Sequence, residues 1–240
     1  MKLALNIIDW QARAPGLSDA SQWYQWSQQP SAIVPSAPQA KLSELSMMTA
    51  RRLASGSRLA VECGLAMLRR HQIDAALYTS RHGELERNYR ILSALATQLP
   101  VSPSDFTTSV HNSAVGHLTI AAQQPLVSSS LSAGIDTFQQ GLCEVTCLLQ
   151  AGYQRVLMVD FDGLLPEFYH ASLPEQMPTW AYAVAMVFER GETLQCTSQA
   201  GSRGEEPALP QSLQFLQHYL SDRPLFSISG ERLMWHWSRA

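Results

Sequence analysis

Apolar and polar positions along this chain recur with two periods, near 2 and near 3.6 residues, the signatures of half-buried strands and of amphipathic helices. Residues 3–8 form an apolar run suited to a buried first strand. Residues 14–39 carry Pro15, Pro30, Pro35 and Pro38 among many Ser and Gln, which predicts mostly irregular covering. Trp10, Trp23 and Trp26 fall early and are expected to plug a sheet edge. Helical spacing follows over 57–71, through Leu59, Ala60, Cys63, Ala66, Met67 and Leu68, and then a strand over 74–80. A second helix over 84–99 sets Leu85, Tyr89, Leu92, Leu95 and Leu99 on one stripe, and Pro100 and Pro103 end it.

A loop, a short apolar helix over 114–122 and a strand over 126–131 come next. Gly134 introduces a helix over 135–150, stopped at Gly152. Its Ile135, Phe138, Leu142, Val145 and Leu149 line one side, while Asp136, Gln139, Gln140, Glu144 and Gln150 line the other and predict a wetter face. The continuous run 155–161 suits a sheet covered on both faces. Strands are predicted over 179–189, 194–198 and 232–239, with an amphipathic helix over 210–220. This alternation gives an α/β class in one domain without internal repeats.

Composition narrows the function classes. Of 240 residues, 45% are hydrophobic and 15% charged, and the net charge of −3 comes with scattered basic residues, so a nucleic-acid-binding face is not expected. No apolar run approaches the ~18–20 residues of a membrane span, and the N-terminus lacks a cleavage-site pattern. Cys143 and Cys147 stand at i, i+4 with no His or Cys partner at ligand spacing, Cys63 and Cys196 are isolated, and the simplest compartment is a reducing cytoplasm. No G-x-S-x-G, Walker, G-x-G-x-x-G or H-E-x-x-H motif occurs. Ser128, Ser129, Ser130 and Ser132 are nucleophilic only by composition, with His111 and His117 the histidines nearest to them in sequence.

Residues 102–162 resemble the heart of the β-ketoacyl synthase family. In that family an N-x-x-x-G-H helix leads to a strand, and a turn then opens a buried helix that ends at a glycine. Asn112, Gly116 and His117 match the helix motif, Ser132, Ala133 and Gly134 stand at the turn, and Gly152 closes the helix. Residues 78–87 look like the short ketosynthase-like subfamily found beside aryl polyene synthases, and 179–189 resemble the strand that closes the family's first half. The resemblance implies half of a thiolase-like fold over residues 1–198, a mixed five-stranded sheet with helices on both faces, and a helix-and-strand extension over 199–240.

Two departures bear on activity. Counting from Gly116 and His117, the family's nucleophilic cysteine falls at position 135, which is Ile135 here. A side chain without a heteroatom cannot attack a thioester, and Asp136 beside it would oppose a thiolate. The family's second half, which holds the decarboxylation histidines, is not expected in the remaining residues, and His218 and His236 lack its glycine-rich contexts.

The resemblance implies a non-catalytic, chain-length-factor-like subunit that pairs with a full-length ketosynthase for polyene or polyketide elongation and meets acyl carrier protein indirectly. Its interface would use Leu126, Val127, Ser128, Ser129, Ser130 and Leu131 with Asn112, and Asp105 and Phe106 are candidates for gating the acyl channel. No cofactor, metal, nucleic acid or membrane span is expected. Two alternatives stay open: a small serine-dependent acyl-thioester hydrolase or acyltransferase using the serine cluster with His111 or His117, and a homodimeric scaffold.

Overall fold

The computed structural model describes residues 2–202 and 204–239. The chain opens with β1 (Lys2–Arg13), α1 (Ala20–Gln28) and a single turn of helix, α2 (Met47–Ala50). It continues through α3 (Ser55–Arg70), β2 (Ala75–Thr79), α4 (Leu85–Ala96), α5 (Pro103–Thr107), α6 (Ser113–Ala122) and β3 (Val127–Leu131). A 3₁₀ turn at Gly134–Asp136 leads into α7 (Thr137–Gln150), followed by β4 (Val156–Asp162), the short α8 (Glu167–His170) and β5 (Tyr182–Ala200). The chain closes with α9 (Gln211–Leu220), β6 (Leu225–Ser229) and β7 (Leu233–Arg239).

One mixed sheet of seven strands, not five, organises these elements. β2 pairs in parallel with both β3 and β4, as expected of strands joined by crossover helices. β5 runs antiparallel to β4 over its first half and to β7 over its second, with β1 along the opposite edge. The two additional strands, β6 and β7, come from the C-terminal segment and join the sheet through β5. The stretches predicted over 179–189 and 194–198 are one strand. The break between them is a bulge over 190–193, where β1 slips from Asn6↔Glu189 to Leu5↔Leu194. A Cβ on Gly191 would collide with the Asn6 side chain, whose Oδ1 accepts from the Thr193 backbone N–H and hydroxyl.

Helices cover both faces. On one side α3 and α6 pack over Ala76, Tyr78, Leu157, Val159 and Val187. Gly64 lets α3 approach the Tyr78 hydroxyl and Leu118, where any Cβ would clash. On the other side α7 lies over Met158, and Gly141 permits the same closeness. That second face is completed by α1, α9 and β7, with Phe215 ringed by Phe138, Phe226 and Trp237. The predicted irregular segment 14–39 therefore contains a structural helix. Trp23 and Trp26 of α1 are buried, at 5.3 Å from each other and nearly perpendicular; the Trp23 indole N–H donates to Ala12 O of the edge strand β1, as expected of a residue covering a sheet edge, and the Trp26 indole N–H donates to Ser31 O. Pattern alone missed α1 because its polar residues outnumber its anchors.

The polar side predicted for α7 is wet only in part: Gln150 is exposed and Gln140 and Glu144 are half-buried, but the start of the helix is closed off. Gln139 is fully buried, and Asp136 is buried at the head of the helix. Asp136 Oδ1 accepts from the Trp235 indole N–H at 2.9 Å and from Gln211 Nε2 at 3.3 Å, and Oδ2 accepts from the Glu231 backbone N–H at 2.9 Å. The carboxylate fastens the C-terminal segment to the sheet, and a Cβ on Gly230 would run into it. Asp136→Ala should lower the unfolding free energy in a urea titration by about 3 kcal/mol, because it orphans buried donors. Asp136→Asn, which keeps one acceptor oxygen, should lose less, and an unchanged midpoint for Asp136→Ala would refute this role.

Candidate functional site

β2 and β4 end side by side, and the turn before α7 passes over their C-terminal ends, the usual place for chemistry in a sheet of this kind. Gly134 adopts φ +61°, a left-handed conformation that lets the chain swing from β3 into α7. Thr137 locks the turn, its hydroxyl accepting from Ala133 N at 3.0 Å and donating to Gly134 O at 2.7 Å. Ile135 is half-buried in this turn and lines a cavity of about 40 Å³ with Arg81, Phe138, Asp160 and Tyr182. That is room for water and not for an acyl chain. Glu206, Pro207, Pro210 and Gln211 of the C-terminal segment also line it, and the Arg81–Glu206 ion pair at 2.5 Å holds them in place.

Beneath the turn lies a buried polar network that sequence reasoning missed. Asp160 accepts from Thr79 Oγ1 at 2.7 Å and Ser212 Oγ at 2.5 Å, with the Tyr182 hydroxyl at 3.3 Å. Asp162 accepts from Ser80 Oγ at 2.6 Å and His82 N at 2.9 Å. Burial drives the Asp160 carboxyl up to about 7 against the opposing pull of the Ser212 and Thr79 hydroxyls, and nearby Asp162 adds to the rise. The available signal was a carboxylate inside the fully buried run 156–162, since such groups are rarely buried without a dedicated partner.

None of the four cysteines lines the cavity beside Ile135. Burial holds the Cys63 and Cys196 thiols at about 12 and Cys143 at about 11, far from thiolate formation at neutral pH. The serine cluster and the histidines are not brought together either. Ser132 Oγ donates to Arg81 O, His111 Nε2 lies 2.9 Å from Ser80 O, and no hydrogen bond joins His111 or His117 to Ser128, Ser129, Ser130 or Ser132 among the described residues. No cluster of metal-ligating side chains occurs among the described residues, and no helix there is long and apolar enough to cross a membrane.

The remaining candidates lie around β3. Among the described residues this strand is the end of the sheet, hydrogen-bonded to β2 alone, and Leu126 precedes it by one residue. Leu131 O accepts from Ser80 N, so Leu131 and, by alternation, Ser129 and Val127 direct their backbone groups to β2. Ser128 and Ser130 direct theirs outward. Asn112 caps α6 with an exposed side chain that makes no capping bond, and a Cβ on Gly116, one turn along, would touch nothing within 4 Å. Neither residue of the N-x-x-x-G pair has a packing role inside the chain. Phe106 is 67% and Val127 51% exposed. Asp105 is instead engaged, at 2.8 Å from both Arg87 and Arg90, and its hydrogen bond to Arg90 leads the causes that hold its carboxyl below the usual range. Only the C-terminal part of the predicted α4 stripe faces outward: Leu92, Leu95 and, just past the helix, Leu99 are exposed, whereas Leu85 is half-buried, Tyr89 packs on Phe168 and Tyr169, and Arg87 is the helix's buried residue.

Comparison with known proteins matches residues 23–238 to the family described as beta-ketoacyl synthase, N-terminal domain. A chain from the complex of the ketosynthase ApeO with its chain length factor ApeC of Xenorhabdus doucetiae is 57% identical, with a TM-score of 0.96 over 99% of this chain and 100% of that one. A chain of the ishigamide ketosynthase/chain length factor superposes with a TM-score of 0.77 at 12% identity, covering 99% of each. The oxazolomycin ketosynthase domain OzmH KS7 of Streptomyces albus JA3453 aligns with 84% of this chain over 47% of its own, at 10% identity and a TM-score of 0.58. The last two likenesses concern the fold alone. No curated protein matches the chain.

The Asp160 network makes stability depend on pH in a definite direction. Its folded carboxyl titrates near 7 and the unfolded one near 3.8, so the folded state holds the extra proton between these values. This contribution is complete below pH ~4, falls by about 1.4 kcal/mol per pH unit as pH rises, and levels off above ~7. The stability of Asp160→Asn relative to the native chain should therefore grow across that window in urea titrations at stepped pH, and a constant difference would contradict the raised pKa.

Proposed function

The chain belongs to the β-ketoacyl synthase family, and from that premise we propose that it is a non-catalytic, chain-length-factor-like subunit working beside an active ketosynthase. The observation that carries this reading is Ile135, an alkyl side chain at the position where the family's nucleophilic cysteine falls, in a cavity of about 40 Å³. All bond-making would then reside in the partner. The supported reaction is decarboxylative elongation of chains on acyl carrier protein, with an aryl polyene product favoured by the resemblance of residues 78–87. The likeness to a chain of the ApeO–ApeC complex supports the same assignment.

The pairing surface in this reading is the open edge of β3 with α6 beside it. An unpaired strand edge is a template for another chain's strand, and Asn112 and Gly116 acquire a purpose if a partner backbone packs close to them. Leu126 to Leu131 form this edge, and Phe106 of α5, exposed where Asp105 is engaged in ion pairs, is the better of the two gating candidates. Asp105, held by Arg87 and Arg90, fixes the position of α5. A stable pairing of this kind buries at least ~1,200 Å².

Two experiments test the proposal. Ile135→Cys places a thiol beside the buried Asp136 carboxylate, and the variant alone should show no condensation and no stoichiometric acyl adduct by intact mass after incubation with acyl-carrier-protein thioesters. A full-occupancy adduct on the native chain would overturn the non-catalytic reading. Ser128→Pro removes an outward N–H from β3 without touching the ladder to β2. The folded variant should lose at least tenfold in co-purification with a full-length ketosynthase, and equal recovery would show that β3 is not the interface.

A further inference from the structure

A large hollow lies away from both β3 and position 135. It is a cavity of about 900 Å³ where the segment 35–42, α2, the start of α3 and the approach to β5 meet. Its volume is within the range of ~300–1,000 Å³ typical of small-molecule sites. Leu59 and Trp180 are buried in its wall, and Met47 and Leu164 stand exposed at its margin. The walls are held rigidly on one side: fully buried Glu62 pairs with Arg13 at 3.1 Å and accepts the backbone N–H groups of Ser43, Glu44 and Leu45, which pins the segment behind Leu42.

The charge of the lining is one-sided. Lys41, Arg51 and Arg58 contribute to it, and no carboxylate does among the described residues. Arg51 makes no ion pair among the described residues. Arg58 donates through Nη2 to Leu53 O, while its Nε is buried with no hydrogen-bond partner among the described residues. A buried guanidinium N–H without an acceptor is costly, and an anionic oxygen placed there would relieve it. Arg51 and Arg58 also line the adjoining hollow, where Arg87 and Arg90 are paired with Asp105, and Arg52 and Glu86 complete the charged lining.

An apolar trough ending in guanidinium groups matches one ligand class. We infer that this cavity binds a long-chain fatty carboxylate, the alkyl chain lying along Leu59, Leu164 and Trp180 and the carboxylate meeting Arg51 and Arg58. The site is separate from the proposed ketosynthase pairing and does not depend on it, since it uses no residue of β3, α6 or the turn at 135.

Titration of the full chain with dodecanoate, read by isothermal calorimetry, tests this directly. Brominated dodecanoate should in addition quench part of the tryptophan fluorescence, and Trp180→Phe should remove that part. Saturable one-to-one binding is expected, with dodecyltrimethylammonium at least tenfold weaker. Arg51→Gln, which breaks no internal hydrogen bond, should weaken dodecanoate about tenfold, Arg58→Gln should do so again, and Leu164→Trp, which fills the trough, should abolish binding in a protein that remains folded by circular dichroism. Absence of saturable binding, equal affinity for the cationic amphiphile, or dodecanoate affinity unchanged in both arginine variants would overturn the assignment.

Discussion

One face of the sheet carries α7 and is largely apolar, so it has to be covered, and two buried carboxylates fasten the cover. Asp136 grips Trp235 and the Glu231 backbone, and Asp160 grips Ser212 at the start of α9. Burying a carboxylate is unfavourable unless its oxygens are satisfied, and here the satisfying donors belong to the very segment that must be held. The aromatic packing of Phe215 against Phe138, Phe226 and Trp237 then contributes burial, while the carboxylates fix position and register.

The same fastening decides the chemistry at position 135. Because Glu206, Pro207 and Pro210 are drawn over the turn before α7, the space beside Ile135 shrinks to the scale of a few waters. The ends of β2 and β4, where an open α/β sheet would ordinarily receive a substrate, are occupied by the Asp160 and Asp162 networks. Covering the core and closing the site are one structural event.

What remains open lies elsewhere on the molecule. β3 keeps an unpaired edge, Gly116 keeps an empty space beside it, and α4 turns Leu92, Leu95 and Leu99 outward while burying Arg87 against Glu84 and Asp105. A helix with that arrangement is held by ion pairs together with the packing of Tyr89 on Phe168 and Tyr169. The molecule thus has a closed centre, an open strand edge and a separate cation-rimmed trough, and each of these has a distinct physical origin.

Much of the fold was determined by the sequence alone, because local periodicity reports one buried face at a time. The runs at β2, β4 and the first half of β5 and the spacing of α3, α7 and α9 were legible, as was the isoleucine at position 135. Polar residues were misread for a physical reason: whether Asp136, Gln139 or Asp160 meets water depends on what packs over them, and that comes from residues some 50 to 100 positions away in the chain. The C-terminal part of the α4 stripe failed in the opposite sense, since periodicity shows that Leu92 and Leu95 share a face but not whether that face meets the core. Only the tertiary structure decided that β6 and β7 extend the sheet to seven strands, that β3 is its end, and that Arg51 and Arg58 converge on an apolar trough whose own lining holds no carboxylate among the described residues, because sheet order and convergence are relations between segments that no local pattern encodes.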